Sequence, residues 1–324
     1  VAFYSGLSRA SFPREDYMKI ATVLLLFTLS FNISARTIIV PTDFKSIQTA
    51  IDRTEPGDTV YLKKGSYKEN IVLRDSISLI GESPLQTIIH GSKKEPVIKA
   101  GNKCTIKYLT IENGAKGIVC ENVIALIQNC IIRKNISSGI LCLVTIPDIF
   151  NNLILNNAES GIFCESARSI KTSIQHNLIV DNGYNGISLA GRSEVLLQNN
   201  VILGNREYGI WKSEESKKSR AIFNAFFANR ASSNFLASLD RSNILEIIPY
   251  PLALRKEKIY YSTSPTVLHG RGKDGVTIGI INESELFQRM NDPDNDGILG
   301  HDDKCPNLME DFDQIEDTDG CPED

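Results

Sequence analysis

One tetrad, Gly-Ile-x-x, constrains this chain more than any other feature of its sequence. It recurs at Gly117-Ile118-Val119-Cys120, Gly139-Ile140-Leu141-Cys142, Gly161-Ile162-Phe163-Cys164, Gly186-Ile187-Ser188-Leu189 and Gly209-Ile210-Trp211-Lys212, spaced by 22, 22, 25 and 23 residues. A second element keeps step: Asn129-Cys130-Ile131, Asn152-Leu153-Ile154, Asn177-Leu178-Ile179, Asn200-Val201-Ile202 and Asn224-Ala225-Phe226, spaced by 23, 25, 23 and 24. In four of these a further Asn follows five residues on, at Asn157, Asn182, Asn205 and Asn229. Apolar dashes of three to five residues are strand-sized and too short for helices. A unit this thin cannot bury its own face, so successive units must stack. Stacking sets equivalent residues about 4.8 Å apart, and Ile118, Ile140, Ile162, Ile187 and Ile210 then form one interior ladder. The Asn positions form amide ladders that satisfy backbone groups left open at a bend. Gly at the strand start is expected to supply the backbone angles of a sharp corner.

This pattern resembles the right-handed parallel β-helix of pectin-lyase-like proteins over most of residues 36–290. The expected fold class is therefore all-β, a right-handed parallel β-helix solenoid with an N-terminal capping helix. Thr42 to Thr54 reads as that helix, with Phe44, Ile47, Ala50 and Ile51 on one face and Thr42 or Asp43 as its cap. A turn at Pro56-Gly57, a strand at Thr59-Val60-Tyr61-Leu62, then Gly65-Ser66-Tyr67 and a strand at Ile71 are similar to the opening of such folds. The segment from Gly272 to Gly279 resembles the closing segment of secreted β-helix proteins. Phe235 to Tyr261 departs from the repeat and reads as cap and cover.

The two ends differ in character from this middle. Met18-Lys19, an apolar run from Ile20 to Phe31 and a small residue at Ala35 describe a secretory signal peptide, with Met18 the expected initiator and 1–17 an over-extended start. Residues 1–35 are thus set apart, no transmembrane segment is expected after cleavage, and the chain is expected in the periplasm or outside the cell. Residues 36–290 carry 31 Lys and Arg against 24 Asp and Glu, whereas 291–324 carry one Lys against thirteen carboxylates. A shift from +7 to −12 marks a boundary at 291.

In that acidic segment Asp292, Asp294 and Asp296 alternate, Gly297 gives the turn, Ile298 offers a carbonyl and Asp303 falls eleven after Asp292. Oxygen ligands so spaced wrap a calcium-sized cation. With Cys305-Pro306, the run from Glu310 to Asp319 and Cys321-Pro322, the segment resembles a bacterial thrombospondin type 3 repeat. The resemblance implies a second Ca²⁺ on Asp311, Asp313, Asp317 and Asp319. Cys305 and Cys321 sit in a polar stretch too small for a core, and a disulfide between them is expected. Of the remaining cysteines, Cys120, Cys142 and Cys164 lie three residues after each tetrad Gly and stack inward. They read as small buried apolar groups, with a bridge between stacked neighbours left open.

No catalytic motif stands out. Relatives of this fold that act on polysaccharides use a Lys or Arg base beside calcium-binding carboxylates, or paired carboxylates. Exterior candidates are Glu121, Lys134, Glu165, Arg168, Arg192, Glu194, Glu207 and Lys212, and no pair of them repeats such a motif. His176 reads as a turn residue. Three functions stay open: a non-catalytic surface protein binding polysaccharide or a cell-surface component, the basic solenoid favouring anionic chains; a polysaccharide lyase, hydrolase or epimerase; and a periplasmic metal-handling accessory, against which four unclustered His and three Met count. No nucleic-acid partner is expected, and the chain is expected to be a monomer.

Overall fold

Each apolar dash becomes a strand of two to seven residues laid parallel on its equivalent one coil away. The computed structural model describes residues 35–168, 172–235, 239–245, 271–275 and 278. Apart from Ala35 these belong to one unit that begins at Arg36. Its strands form three parallel sheets of 9, 9 and 8 strands, visited in rotation as sheet A, sheet B and sheet C. Sheet A begins with Thr37–Val40, sheet B with Gly65–Lys68 and sheet C with Ile71–Val72. This is the parallel β-helix that the repeat predicts.

Alternation decides what faces inward. Ile118, Ile140, Ile162, Ile187 and Ile210 pair in register on sheet C and are fully buried. Ile132, Ile154, Ile179 and Ile202 do the same on sheet B, with Phe226 next. β-Branched side chains suit this column because their stiff χ1 loses little on packing against identical neighbours.

The corner from sheet A to sheet B is two residues long in every coil from Tyr108 onward. Its first residue is left-handed, with φ between 54° and 57° at Tyr108, Asn129, Asn151, His176, Asn199 and Phe223. Its second residue carries the amide ladder. Asn152 Nδ2 donates to Asn177 Oδ1 at 3.0 Å, Asn177 to Asn200 at 3.0 Å, Asn200 to Asn224 at 2.9 Å and Asn224 to Asn243 at 3.0 Å. Two expectations change here. Ile131 pairs with Leu153, so Cys130 and not Asn129 heads this ladder, and Asn129 instead accepts from Asn151 at 2.6 Å. Asn243 and the strand Ile244–Leu245 add a rung inside a stretch expected to break the repeat.

The corner from sheet B to sheet C holds the second ladder, Asn135, Asn157, Asn182, Asn205 and Asn229, linked at 2.9 to 3.0 Å. It closes on the tetrad glycines. None of these five is left-handed; a Cβ on Gly117 would lie 2.3 Å from the Gly139 carbonyl and 2.9 Å from the Asn135 amide. Close approach of the neighbouring coil, and not backbone angle, excludes a side chain. Between Cys120 and Ala225 only the corner from sheet C to sheet A varies in length. The inward residues flanking it, Cys120 and Ile127, then Cys164 and Ile174, then Lys212 and Ala221, are separated by seven, ten and nine positions.

The capping helix is shorter than expected, Ile47–Asp52, with Ser46 and not Thr42 or Asp43 as N-cap. Ile47, Ala50 and Ile51 are its buried face. The Glu69 carboxylate accepts from the N–H groups of Ile47 at 2.9 Å and Gln48 at 3.1 Å and from the Ser46 hydroxyl at 2.8 Å. These are helix donors with no partner inside the helix, so a carboxylate from the second coil fixes where the helix starts. Asp43 is used elsewhere, accepting from the Ile39 N–H at 2.7 Å.

Candidate functional site

The three outer faces differ in kind. On sheet B the outward residues Ile131, Leu153, Leu155, Leu178, Val180 and Leu203 are apolar and at most 4% exposed, and they form a second core with Ile278. The Lys273 N–H also donates to Asn199 Oδ1 at 3.0 Å, so chain from beyond the repeat lies against this side. On sheet A the outward positions are half-buried and largely polar, including Lys107, Gln128, Gln175 and Gln198.

Sheet C is mixed: its outward positions include the exposed Val72, Lys99, Glu121 and Glu165, the half-buried Leu141, Phe163 and Trp211, and the buried Val119 and Ser188. The third residue of each tetrad points outward, giving the registered column Val119, Leu141, Phe163, Ser188 and Trp211. Leu141, Phe163 and Trp211 are half-buried. The Ser188 hydroxyl is held by Ser160 Oγ at 2.8 Å and Asn185 Nδ2 at 2.9 Å. Among the described residues, the strongly exposed large apolar side chains are Val72, Ile124, Ile136, Val144 and Tyr184. All five lie on sheet C or on the turns that border it. Val144 has φ 71°, uncommon for a β-branched residue, at a register shift between the sheet C strands Ile140–Thr145 and Ile162–Arg168. Single exposed apolar residues need no explanation, whereas a contiguous set on one face marks an interaction surface. Sequence reasoning missed this column because it read only the Gly, Ile and Cys positions of the tetrad.

Among the described residues the expected exterior charges are spread over several coils and corners. Glu121, Lys134, Glu165 and Arg192 are exposed; the Arg168 side chain lies outside the described residues. Glu194 is paired with Lys218 at 3.1 Å and Glu207 with Arg230 at 2.5 Å, and Glu159 accepts from the Ser137 hydroxyl. Lys212 is not on the exterior as expected. It occupies the inward column after Cys164 and Leu189, its ammonium 4.2 Å from the Phe235 ring centre, and burial lowers its pKa. With Lys217, Arg220 and Asp240 it borders a cleft of about 260 Å³ at the end of the solenoid. His176 is a corner residue, as expected, meeting Asn199 Nδ2 at 3.1 Å and the Phe150 ring edge-on. A buried carboxylate escaped sequence reasoning: Glu112 meets His90 Nδ1 at 2.9 Å and accepts from Arg133 Nε at 2.7 Å across three rungs of sheet B.

Cys120, Cys142 and Cys164 stack in register, fully buried, and all five described cysteines are free thiols. Burial pushes Cys104 and Cys130 up to about 12 and raises Cys120; in Cys142 the contact with Cys164 and then burial do the same. Such thiols stay protonated and make poor metal ligands. Among the described residues no three His, Cys, Asp or Glu converge to hold a metal. The expected calcium ligands Asp292 to Asp319, the Cys305–Cys321 bridge and the signal segment lie outside the described residues.

A family model described as periplasmic copper-binding protein, NosD, matches residues 51–240. The chain belongs to the NosD family. The matched region runs from the capping helix through nearly all the registered coils, so family and solenoid coincide. No curated protein matches the chain. Among solved structures, pectate lyase Pel9A is similar at 12% identity with a TM-score of 0.52, covering 77% of this chain and 97% of its own. An alginate lyase from Paenibacillus sp. str. FPU-7 is similar at 17% identity with a TM-score of 0.44, covering 62% and 78%. Likeness at such identity shows the fold of this NosD member and no activity.

Proposed function

We propose that this NosD-family chain is a periplasmic, non-catalytic β-helix that binds glycans on the outer face of sheet C. The observation that carries the reading is that, among the described residues, the strongly exposed large apolar side chains Val72, Ile124, Ile136, Val144 and Tyr184 lie on that sheet or the turns beside it. Aromatic rings combine a flat apolar surface with low conformational entropy, which suits the apolar faces of sugar rings. Exposed polar groups at the borders, among them Glu159 and Arg206, would hydrogen-bond the hydroxyls. A lyase, hydrolase or epimerase needs convergent ionised groups, whereas Glu194 and Glu207 are each bound to a cation.

The family's description suggests copper, and the described residues do not fit it. Soft ligands suit Cu(I), yet the stacked thiols are sealed in the core, with Cys120 and Cys142 held above the usual thiol range, and the two described histidines, His90 and His176, stand apart, one on a sheet B strand and one at a corner. The acidic segment 291–324 is read as a separate calcium-binding element of thrombospondin type 3 character.

Trp211 is the only tryptophan in the chain and stands in the outward column, so its fluorescence reports occupancy of this face. Titration of the full chain with a panel of neutral and acidic oligosaccharides is expected to shift or quench that emission without releasing products. New reducing ends or unsaturated sugars would establish an enzyme instead, and an unresponsive Trp211 across the panel would remove the glycan reading.

A further inference from the structure

The three sheets do not end together. Among the described residues sheet C closes on Ala231–Ser233 and sheet B on Ile244–Leu245, whereas sheet A stops one coil earlier, at Arg220–Ile222. The Arg220 N–H donates back to the Val195 carbonyl at 2.9 Å. Alternation along a parallel strand then turns both backbone polar groups of Ala221 the other way, toward the missing neighbour. The Ala221 carbonyl accordingly accepts from Asn243 Nδ2 at 2.8 Å, and on the same edge the Phe223 N–H donates to the Ser242 hydroxyl at 3.0 Å. Side chains of the last coil thus replace a strand at two points. The Ala221 N–H, in a buried residue, meets no acceptor among the described residues. A buried backbone donor left in that state is costly.

The cleft of about 260 Å³ opens beside this edge. Its apolar wall is Ala221, Ile222, Phe235 and Leu239, and its charged rim sets Lys212, Lys217 and Arg220 against Asp240 alone. Asp240 is already engaged, its Oδ1 accepting from the Ser242 N–H at 2.9 Å and hydroxyl at 2.6 Å. The Ser219 hydroxyl, also in the cleft, accepts from the Val195 N–H at 3.0 Å and donates to the Ser193 carbonyl at 2.8 Å. Lys212 differs. It ends the inward column of Cys120, Cys142, Cys164 and Leu189. Its ammonium carries three donors and faces the Phe235 ring at 4.2 Å, and no carboxylate pairs with it among the described residues. Glu214 and Glu215, its nearest carboxylates along the chain, are exposed and do not border the cleft. A ring face balances part of such a charge and fills none of its hydrogen bonds. We infer that this cleft binds a small organic anion, a carboxylate on an apolar ring-sized body. The Lys212 ammonium and the Ala221 N–H are donors to the carboxylate, and the body lies against Phe235 and Leu239. The site is independent of glycan binding on sheet C.

Benzoate is the probe, titrated calorimetrically into the full chain, with benzamide as its uncharged isostere and benzylammonium as its cationic counterpart. Benzoate is expected to bind at least about 10-fold more tightly than either, the scale of one charge-assisted hydrogen bond. Trace acetylation with acetic anhydride, read by mass spectrometry, locates the site: benzoate is expected to slow modification of Lys212 and to leave the exposed Lys93 unchanged. Lys212→Met keeps the apolar stem, removes the charge and is expected to bring benzoate down to the level of benzamide. Equal affinity of the unaltered protein for benzoate and benzamide would overturn the anionic class. Undiminished benzoate binding by a folded Lys212→Met protein would place the anion elsewhere and overturn the site. No heat from benzoate up to about 10 mM, with a native circular dichroism spectrum, would defeat the inference entirely and leave the sheet C reading untouched.

Discussion

The backbone N–H and the side-chain amide of Asn177 both donate to Oδ1 of Asn200, each across 3.0 Å, and Asn177 is fully buried. One carboxamide oxygen thus serves two donors of the coil before it. The same Nδ2 also reaches the Ile149 carbonyl at 2.9 Å, while Asn152 donates twice to Asn177 Oδ1. Replacing Asn177 by Ala strands donors on both sides in a dry corner, and unsatisfied buried groups cost about 1–3 kcal/mol each. Asn177→Ala is expected to lower unfolding free energy by about 3 kcal/mol in urea melts. A loss below about 0.5 kcal/mol would mean that water enters this corner and the ladder is not structural.

Gly117→Ala tests the second corner. A Cβ there meets the Gly139 carbonyl oxygen at 2.3 Å, and a backbone atom pinned in a sheet cannot step aside as a flexible side chain can. Overpacking of this kind costs about 1–3 kcal/mol. At Gly57, where φ is +99° and nothing lies within 4 Å, Ala is expected to cost backbone strain alone, about 1 kcal/mol. The Gly117 variant is expected to be the less stable; the reverse order would return the tetrad glycines to a conformational role.

The buried thiols give stability a dependence on alkaline pH. An unfolded Cys ionises near pH 8.5, whereas Cys104 and Cys130 are held up to about 12 by burial. Above pH 9 the unfolded chain therefore binds fewer protons than the folded one, and stability falls as pH rises. The slope is about 1.4 kcal/mol per pH unit per thiol up to about pH 12. Lys and Tyr titrate in the same range, so the measurement is a difference: Cys130→Ala is expected to flatten the alkaline slope by about that amount. Parallel slopes for the two proteins would show Cys130 to be solvated in the native state.

The acidic segment is expected to respond to calcium independently of the solenoid. With −12 on residues 291–324, carboxylates at alternate positions repel one another until a cation neutralises them. Calorimetric titration of the full chain is expected to show sites that disappear in an Asp294→Asn, Asp296→Asn double variant, with magnesium a poor substitute. Unchanged calcium binding in that variant would place the ion elsewhere.

The solenoid was legible because its information is repetitive. Five isoleucines at one spacing specify an inward column whatever happens between them, and each structural register agrees with that spacing. What went astray was phase and cause. The sequence pattern sets Asn129 level with Asn152 because both are Asn; the structure sets Cys130 there, puts a thiol at the head of the ladder and admits Asn135 to the second. The tetrad glycines suggest backbone freedom in the sequence, whereas crowding by the next coil is what requires them, a long-range fact that no local pattern carries. The Glu69 cap escaped for the same reason, since it joins residues 22 positions apart. The sheet C column was visible at the third tetrad position, but Val, Leu, Phe, Ser and Trp share no residue type, and only topology makes them one surface.

In the central coils, between Cys120 and Ala225, two of the three corners are locked in length by their Asn ladders, and the third is not. An extra residue at a laddered corner would throw every amide above it out of step with every amide below. Such a chain can acquire new sequence only where sheet C turns toward sheet A, between Cys164 and Ile174 or between Lys212 and Ala221. Lineages descended from this scaffold would thus diverge by growing loops along a single seam beside the exposed face, and grafted peptides should survive at that seam and nowhere else on the coil.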